Sequence, residues 1–159
     1  MATLGCVTKT FAATALIALA LPGSAAARIV PQRGIAGANL DMTQAQVRDK
    51  LGKPDKVGHP TSPIFGQYTT WFYGGTSVDM FRNQDGKVFN VSTTSKSEKT
   101  STGVGVGSTA AAVKKGVKGA RCDQKHCWVG RFQGGRKVTD FALSTKGRVT
   151  RVTVGYVLD

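Results

Sequence analysis

The sequence predicts an α+β protein made of two tandem repeats, each a short helical segment packed on an antiparallel β-meander. Two observations carry that expectation. Residues 42–54 (MTQAQVRDKLGKP) and 108–120 (STAAAVKKGVKGA) align 66 positions apart, which sets Thr43 on Thr109, Val47 on Val113, Arg48 on Lys114 and Leu51 on Val117. An internal match of this kind points to a duplicated structural unit. After each copy the chain passes into short runs rich in aromatic and β-branched residues, broken by glycine-containing turns too short for anything but antiparallel neighbours.

The division that follows is a leader over residues 1–27, a first repeat over 28–94, a polar linker over 95–103 (SKSEKTSTG) and a second repeat over 104–159. In the leader, Lys9 precedes an apolar run from Phe11 to Leu21, then Pro22-Gly23 and the small residues Ser24 to Ala27. This is the layout of a secretory signal cleaved before Arg28. The run is shorter than the roughly 20 residues a spanning helix needs, so the chain is not read as membrane-spanning. Cys6 lies ahead of the run, whereas a lipoprotein carries its acylated cysteine after it. The expected location is therefore the cell envelope or the extracellular space.

The first helix opens at Thr43, whose hydroxyl and the Gln46 side chain three residues on can satisfy each other's free backbone N–H groups. Val47 and Leu51 supply one apolar edge, Gly52 a left-handed stop, and Pro54 prevents continuation. The second helix starts at Ser108 or Thr109 and repeats the edge with Val113 and Val117. Neither is long enough to be stable alone. The strands expected after the first helix are 67–73, 77–81 and 87–93, and after the second 126–132, 137–143 and 148–157.

With Cys6 in the leader, Cys122 and Cys127 form an even pair in an exported chain and are read as a disulfide. A metal site using these cysteines, His126 and His59 is the alternative; it lacks the two separated ligand pairs that structural zinc usually takes. No cofactor is implied. The run Gly103-Val104-Gly105-Val106-Gly107-Ser108 precedes a helix but lacks the Lys-Ser/Thr ending of a phosphate loop, and it reads as a small-residue helix entry.

The string Gly37-Ala38-Asn39-Leu40-Asp41-Met42-Thr43 with Val47, Leu51-Gly52 and Pro54, followed by Trp71-x-Tyr73 and a Gly-Lys-Val strand, resembles the SmpA/OmlA-like unit of bacterial envelope proteins. Two such units, exported and carrying a disulfide in the second, are similar to the β-lactamase inhibitory protein-like architecture. The resemblance implies an exported binding protein. It departs at Asp41, where the usual residue is glycine, although Gly107 keeps it in the second copy. No motif carries an inhibitor's contact residues onto this chain.

An enzyme is not expected. Outside the leader there is one glutamate, Glu98, most aspartates sit at helix ends or turns, and both thiols are committed. An enzymatic reading would need Asp79 or Asp140 in a cleft beside a histidine. Two binding readings remain. In the first, aromatic residues on the sheet contact a protein partner, with Tyr68, Trp71, Tyr73 and Trp128 as candidates. Trp71 and Tyr73 share one strand face and Phe72 the other, so either the Trp71 side is open or it packs under the helix and Phe72 is exposed.

The second reading is electrostatic. The chain has 22 Lys and Arg against 9 Asp and Glu; residues 28–103 carry 10 basic and 6 acidic side chains, residues 104–159 carry 11 and 3. Lys114, Lys115, Lys118, Arg121 and Lys125 cluster around the second helix and the cysteine loop, with Arg131, Arg136, Lys137, Lys146, Arg148 and Arg151 on the strands beyond. Such a field attracts anionic wall polymers or lipid headgroups. No nucleic-acid-binding motif is present, so no specific nucleic acid is expected.

Overall fold

The computed structural model of the chain describes residues 28–82 and 86–158. The expected signal segment, 1–27, lies outside the described residues. In chain order the elements are β1 (Ile29–Val30), β2 (Gly34–Ile35), β3 (Ala38–Asn39), α1 (Gln44–Leu51), β4 (Lys56–Gly58), β5 (Thr61–Ser62), β6 (Gly66–Tyr73), β7 (Thr76–Phe81) and β8 (Val88–Thr93). There follow α2 (Ala110–Gly116), β9 (Arg121–Cys122), β10 (His126–Val129), β11 (Lys137–Leu143) and β12 (Val149–Tyr156).

The strands form one large antiparallel sheet in the order β4-β6-β7-β8-β12-β11-β10-β9, with β5 paired to β6, and a small sheet β1-β2-β3. This corrects the fold class. The protein is mostly β, not an α+β pair of helix-on-meander repeats. The helices have 8 and 7 residues. The two strand runs do not close on themselves, because the last strand of each is left with unpaired N–H and C=O groups along one edge, and these edges pair with each other. In that seam Thr93 faces Val152, Ser92 faces Thr153, Val91 faces Val154 and Asn90 faces Gly155. The Cys122–Cys127 disulfide staples β9 to β10, where the two residues are direct cross-strand partners.

The helices form where the capping chemistry places them. Gln46 N–H donates to the Thr43 hydroxyl at 3.3 Å while the Gln46 side chain accepts from Thr43 N–H at 2.9 Å. Gly52 then stops α1 in the left-handed region, at φ 79°. In α2, Ala112 N–H donates to the Thr109 hydroxyl at 3.2 Å. Each helix sends one fully buried valine, Val47 or Val113, into the core.

Strand alternation divides the large sheet into a covered and an uncovered face. Val78, Met80, Val91, Phe141, Val152 and Val154 point to the covered side and are fully buried. Ile29, Ile35 and Ala38 of the small sheet join them in the same apolar cluster, as do Val47 and Val113. The small sheet contacts β8 and β12 and so lies over the seam. Residues 95–103 are tied into this layer: Arg28 N–H and Ile29 N–H both donate to Lys99 O, and the Arg28 guanidinium reaches the buried Glu98 carboxylate at 3.0 Å.

Asp41 occupies the position where the resemblance expects glycine, and it does adopt the left-handed conformation, with φ 70° against 90° at Gly107. Aspartate tolerates this region better than most side chains. Its carboxylate accepts from the Tyr156 hydroxyl at 2.7 Å and from Lys137 Nζ at 2.9 Å, joining the loop before α1 to β11 and β12. Burial pushes this carboxyl up, but the two hydrogen bonds and the Lys137 charge outweigh it and hold it below the ordinary aspartate range.

Two stability predictions follow from this packing. Phe141→Ala opens a cavity in the fully buried cluster and should cost about 3–5 kcal/mol in urea unfolding, whereas Val57→Ala at an exposed position should stay within about 0.5 kcal/mol. Equal effects would contradict the assignment of the covered face. For Asp41, a folded pKa below the unfolded value means the tie contributes above the unfolded pKa and is lost as pH falls through the folded one. Asp41→Asn should lower stability at neutral pH by up to about 1 kcal/mol, the contribution being limited by solvent screening. Its thermal midpoint should converge on wild type as pH drops below about 4. Parallel curves would contradict the tie.

Candidate functional site

Neither helix nor the small sheet covers the other face of the large sheet. Tyr68, Thr70 and Phe72 of β6 point there, with Ser77, Asp79 and Phe81 of β7, Asn90 and Ser92 of β8, Thr153 of β12, Asp140 of β11 and Trp128 of β10. At its centre the polar groups satisfy one another. Thr70 Oγ1 and Asn90 Nδ2 donate to the two oxygens of Asp79, each at 2.7 Å, and the Ser77 and Ser92 hydroxyls meet at 2.9 Å. Gly155 leaves room for them, since a Cβ there would stand 2.6 Å from Asn90 Oδ1 and displace that amide.

The two ends of this face are aromatic. At one end Phe65, Tyr68, Phe81 and Phe89 pack with ring centroids 4.5–5.8 Å apart. A register shift between Asp79 and Met80 brings Phe89 onto the same side as Asn90. Ile64 beside this cluster is 58% exposed. At the other end Trp128 and Phe132 stand 6.0 Å apart at an interplanar angle of 56°, and Phe132 is 61% exposed.

Trp128 and Phe132 wall a cleft of about 540 Å³ with Asp123, His126, Val138, Asp140 and Thr153. Trp128 and Asp140 are cross-strand partners, and His126 lies on the same strand face as Trp128. His126 Nδ1 sits 3.0 and 3.1 Å from the two Asp140 oxygens. Burial pushes the Asp140 carboxyl above its ordinary range, against the pull of the neighbouring histidine. Asp123 is held below its ordinary range by the backbone N–H groups of Lys125 and His126, which both donate to its Oδ1 at 2.7 Å. The arrangement meets the condition set for an acid–base reading, an aspartate in a cleft beside a histidine. Nucleophilic catalysis would further need a nucleophile held by that base: among the described residues the hydroxyl in the wall is Thr153, which makes no hydrogen bond to His126 or Asp140, and both cysteines are in the disulfide.

A second cavity, of about 630 Å³, is lined by Gln32, Gly130, Arg131, Gly135, Arg136, Lys137 and Tyr156. Three cationic side chains converge there. Lys137 is already tied to Asp41 and lies 5.3 Å above the Tyr156 ring. Gln32 anchors the rim through its side-chain amide, which donates to Lys137 O at 2.8 Å.

The residues singled out from the sequence are therefore dispersed. Tyr68 and Trp128 lie at opposite ends of the uncovered face. Trp71 is 5% exposed on the covered face with the Arg48 guanidinium 5.2 Å from its ring, and Tyr73 on the same side donates to Gly52 O at 3.2 Å. Of the three residues 71–73, Phe72 is the exposed one. Of the basic candidates, Lys114, Lys115, Lys118, Arg121 and Lys125 are exposed around α2 and the cysteine loop. Arg148 donates to Gly107 O, Arg151 borders Phe72, Ser77 and Ser92 on the uncovered face, and Arg131 lines the basic cavity. They do not form one patch. Phe132 and the pairing of His126 with Asp140 escaped the sequence reading; the hairpin register between β10 and β11 is the signal that could have joined that pair. Among the described residues no group of three or more His, Cys, Asp or Glu side chains is placed to hold a metal ion.

No protein-family model matches the chain, and no curated protein sequence matches it. Its fold is similar to that of an extracellular protein containing an SCP domain from Bacillus anthracis, at 10% identity and a TM-score of 0.51 over 74% of this chain; the match spans 44% of that protein. A DUF4309 family protein from Bacillus subtilis gives a TM-score of 0.42 at 14% identity over 82% of this chain and 88% of its own. The uncharacterized protein yfeY from Escherichia coli gives 0.46 at 13% identity over 78% and 97%. The first of these likenesses concerns the fold alone. The disulfide is consistent with a place outside the cytoplasm, and no helix among the described residues is long and apolar enough to cross a membrane.

Proposed function

We propose that the chain is an exported, non-enzymatic binding module that engages a protein partner with the uncovered face of its large sheet. The observation that carries this is the pairing of a self-satisfied polar centre with exposed aromatic residues at the rim, Phe72 and Phe132. A protein surface gains most from aromatic anchors that become desolvated on contact, while a centre whose hydrogen bonds are already made loses little on losing water. An inhibitor-like role, by occlusion of an enzyme's cleft, is the form of this reading that the resemblance to β-lactamase inhibitory proteins and SmpA/OmlA-like envelope proteins suggests.

The second reading, binding of an anionic wall polymer or lipid headgroup, is favoured by the cavity where Arg131, Arg136 and Lys137 converge. Guanidinium groups suit phosphate because they bond it in a fixed planar fork.

Affinity capture from the organism's own secreted and envelope fractions, at low and high salt, separates the two. The mature protein should retain the same protein at both ionic strengths, and Phe72→Ala/Phe132→Ala should weaken capture about tenfold or more. Capture that collapses with salt and ignores these substitutions, but fails in Arg131→Ala/Arg136→Ala, would instead support the polyanion reading. Finding no partner under either condition contradicts both.

A further inference from the structure

The cleft at the Trp128 end of the uncovered face differs in chemistry from the rest of the molecule. In a chain with 22 basic and 9 acidic side chains, its wall holds two carboxylates and no lysine or arginine. Asp123 has spent Oδ1 on two backbone N–H groups, which leaves Oδ2 without a hydrogen bond in the turn. Asp140 is oriented by His126. The Trp128 and Phe132 rings meet at 56°, so they form a corner rather than the flat platform on which a sugar ring stacks. Phe132 is 61% exposed, and among the described residues its aromatic contact is with Trp128.

A corner of two π faces closed by carboxylates is complementary to a compact organic cation. The ring faces attract positive charge, and the carboxylates accept the hydrogen bonds that an ammonium or guanidinium group must keep when it leaves water. We propose that this cleft binds the cationic head of an arginine or lysine side chain presented by the protein partner, a specific anchor within the sheet-face interface and dependent on that reading. Of the chain's cations, Arg121, the exposed cross-strand partner of Trp128 on β9, stands beside the cleft but outside its wall; exposed charges more than about 8 Å away are largely screened at physiological salt. The groups that face the guest are His126 and Trp128 from β10, Asp140 and Val138 from β11, Thr153 from β12 and Asp123 from the cysteine loop, with Arg121 of β9 beside Trp128 at the edge. Protonation of Asp140 removes its charge, so binding should weaken as pH falls.

A small probe tests the cleft without the partner. The indole N–H resonance of Trp128 is followed by NMR while the mature protein is titrated with N-acetyl-arginine amide, with the uncharged isostere N-acetyl-citrulline amide and with methyl N-acetyl-β-glucosaminide. Saturable shifts confined to Trp128 and the cleft residues are expected for the arginine probe alone. Phe132→Ala, at an exposed position, and Asp140→Asn should each weaken it about fivefold or more. Equal binding of the citrulline probe, preference for the sugar, or no saturable shift overturns the proposal. Each of those results leaves partner capture through the sheet face standing on its own measurement, and a lost capture with intact arginine binding points the other way.

Discussion

Everything else in this fold depends on the antiparallel seam between β8 and β12. Each of those strands ends a run that, left to itself, would expose an edge ready to pair with any other chain. Their mutual pairing removes both edges from the middle of the molecule and converts two short strand runs into one continuous sheet. On its covered side the seam places Val91 against Val154 and Thr93 against Val152, all essentially inaccessible to solvent. The small sheet β1-β2-β3 lies over it, and α1 and α2 bury one valine each in the same cluster. Because helices this short are not stable in isolation, their formation depends on that shared core.

Covering only one face has a direct consequence for what the molecule can do. Among the described residues both helices and the small sheet lie on one side, so the other side keeps Phe72 and Phe132 exposed to water. The seam also sets the distance between those ends, since Phe81 and Trp128 reach the same face from strands on opposite sides of it. A partner contacting both must therefore recognise the joined sheet, and neither strand run alone presents the surface. The acidic aromatic cleft and the basic cavity lie at the same end of the sheet, both bordered by β11 residues, one lined by Val138 and Asp140 and the other by Lys137. Opposite charges are thus segregated by single-residue alternation along one strand.

Local chemistry was legible in the sequence. The Thr43–Gln46 cap, the Gly52 stop and the longer strands appear close to where capping rules, alternation and turn residues place them. The architecture was not. A seam made by backbone groups of two distant strands leaves no side-chain signature in a periodicity, so the expectation of separate helix-on-meander repeats missed it. The strands β1, β2 and β3 have two residues each, too few for an alternation to register. Alternation likewise separates Trp71 from Phe72 without saying which of them faces the core; the helix layer decides that. His126 and Asp140 are 14 positions apart and meet only because the turn between β10 and β11 sets Trp128 opposite Asp140. Asp41 is a different case. The departure from glycine was visible, but its partners Lys137 and Tyr156 lie 96 and 115 positions away.

The central claim is that recognition occurs on the uncovered face as a whole, and hydroxyl-radical footprinting of the exported protein, free and bound to its captured partner, tests it most directly. The account predicts that Tyr68, Phe72, Trp128 and Phe132 lose reactivity together in the complex, while Tyr73 and Val57 on the other side keep theirs. Protection of Tyr73 and Val57 with the four aromatic residues unchanged would contradict it.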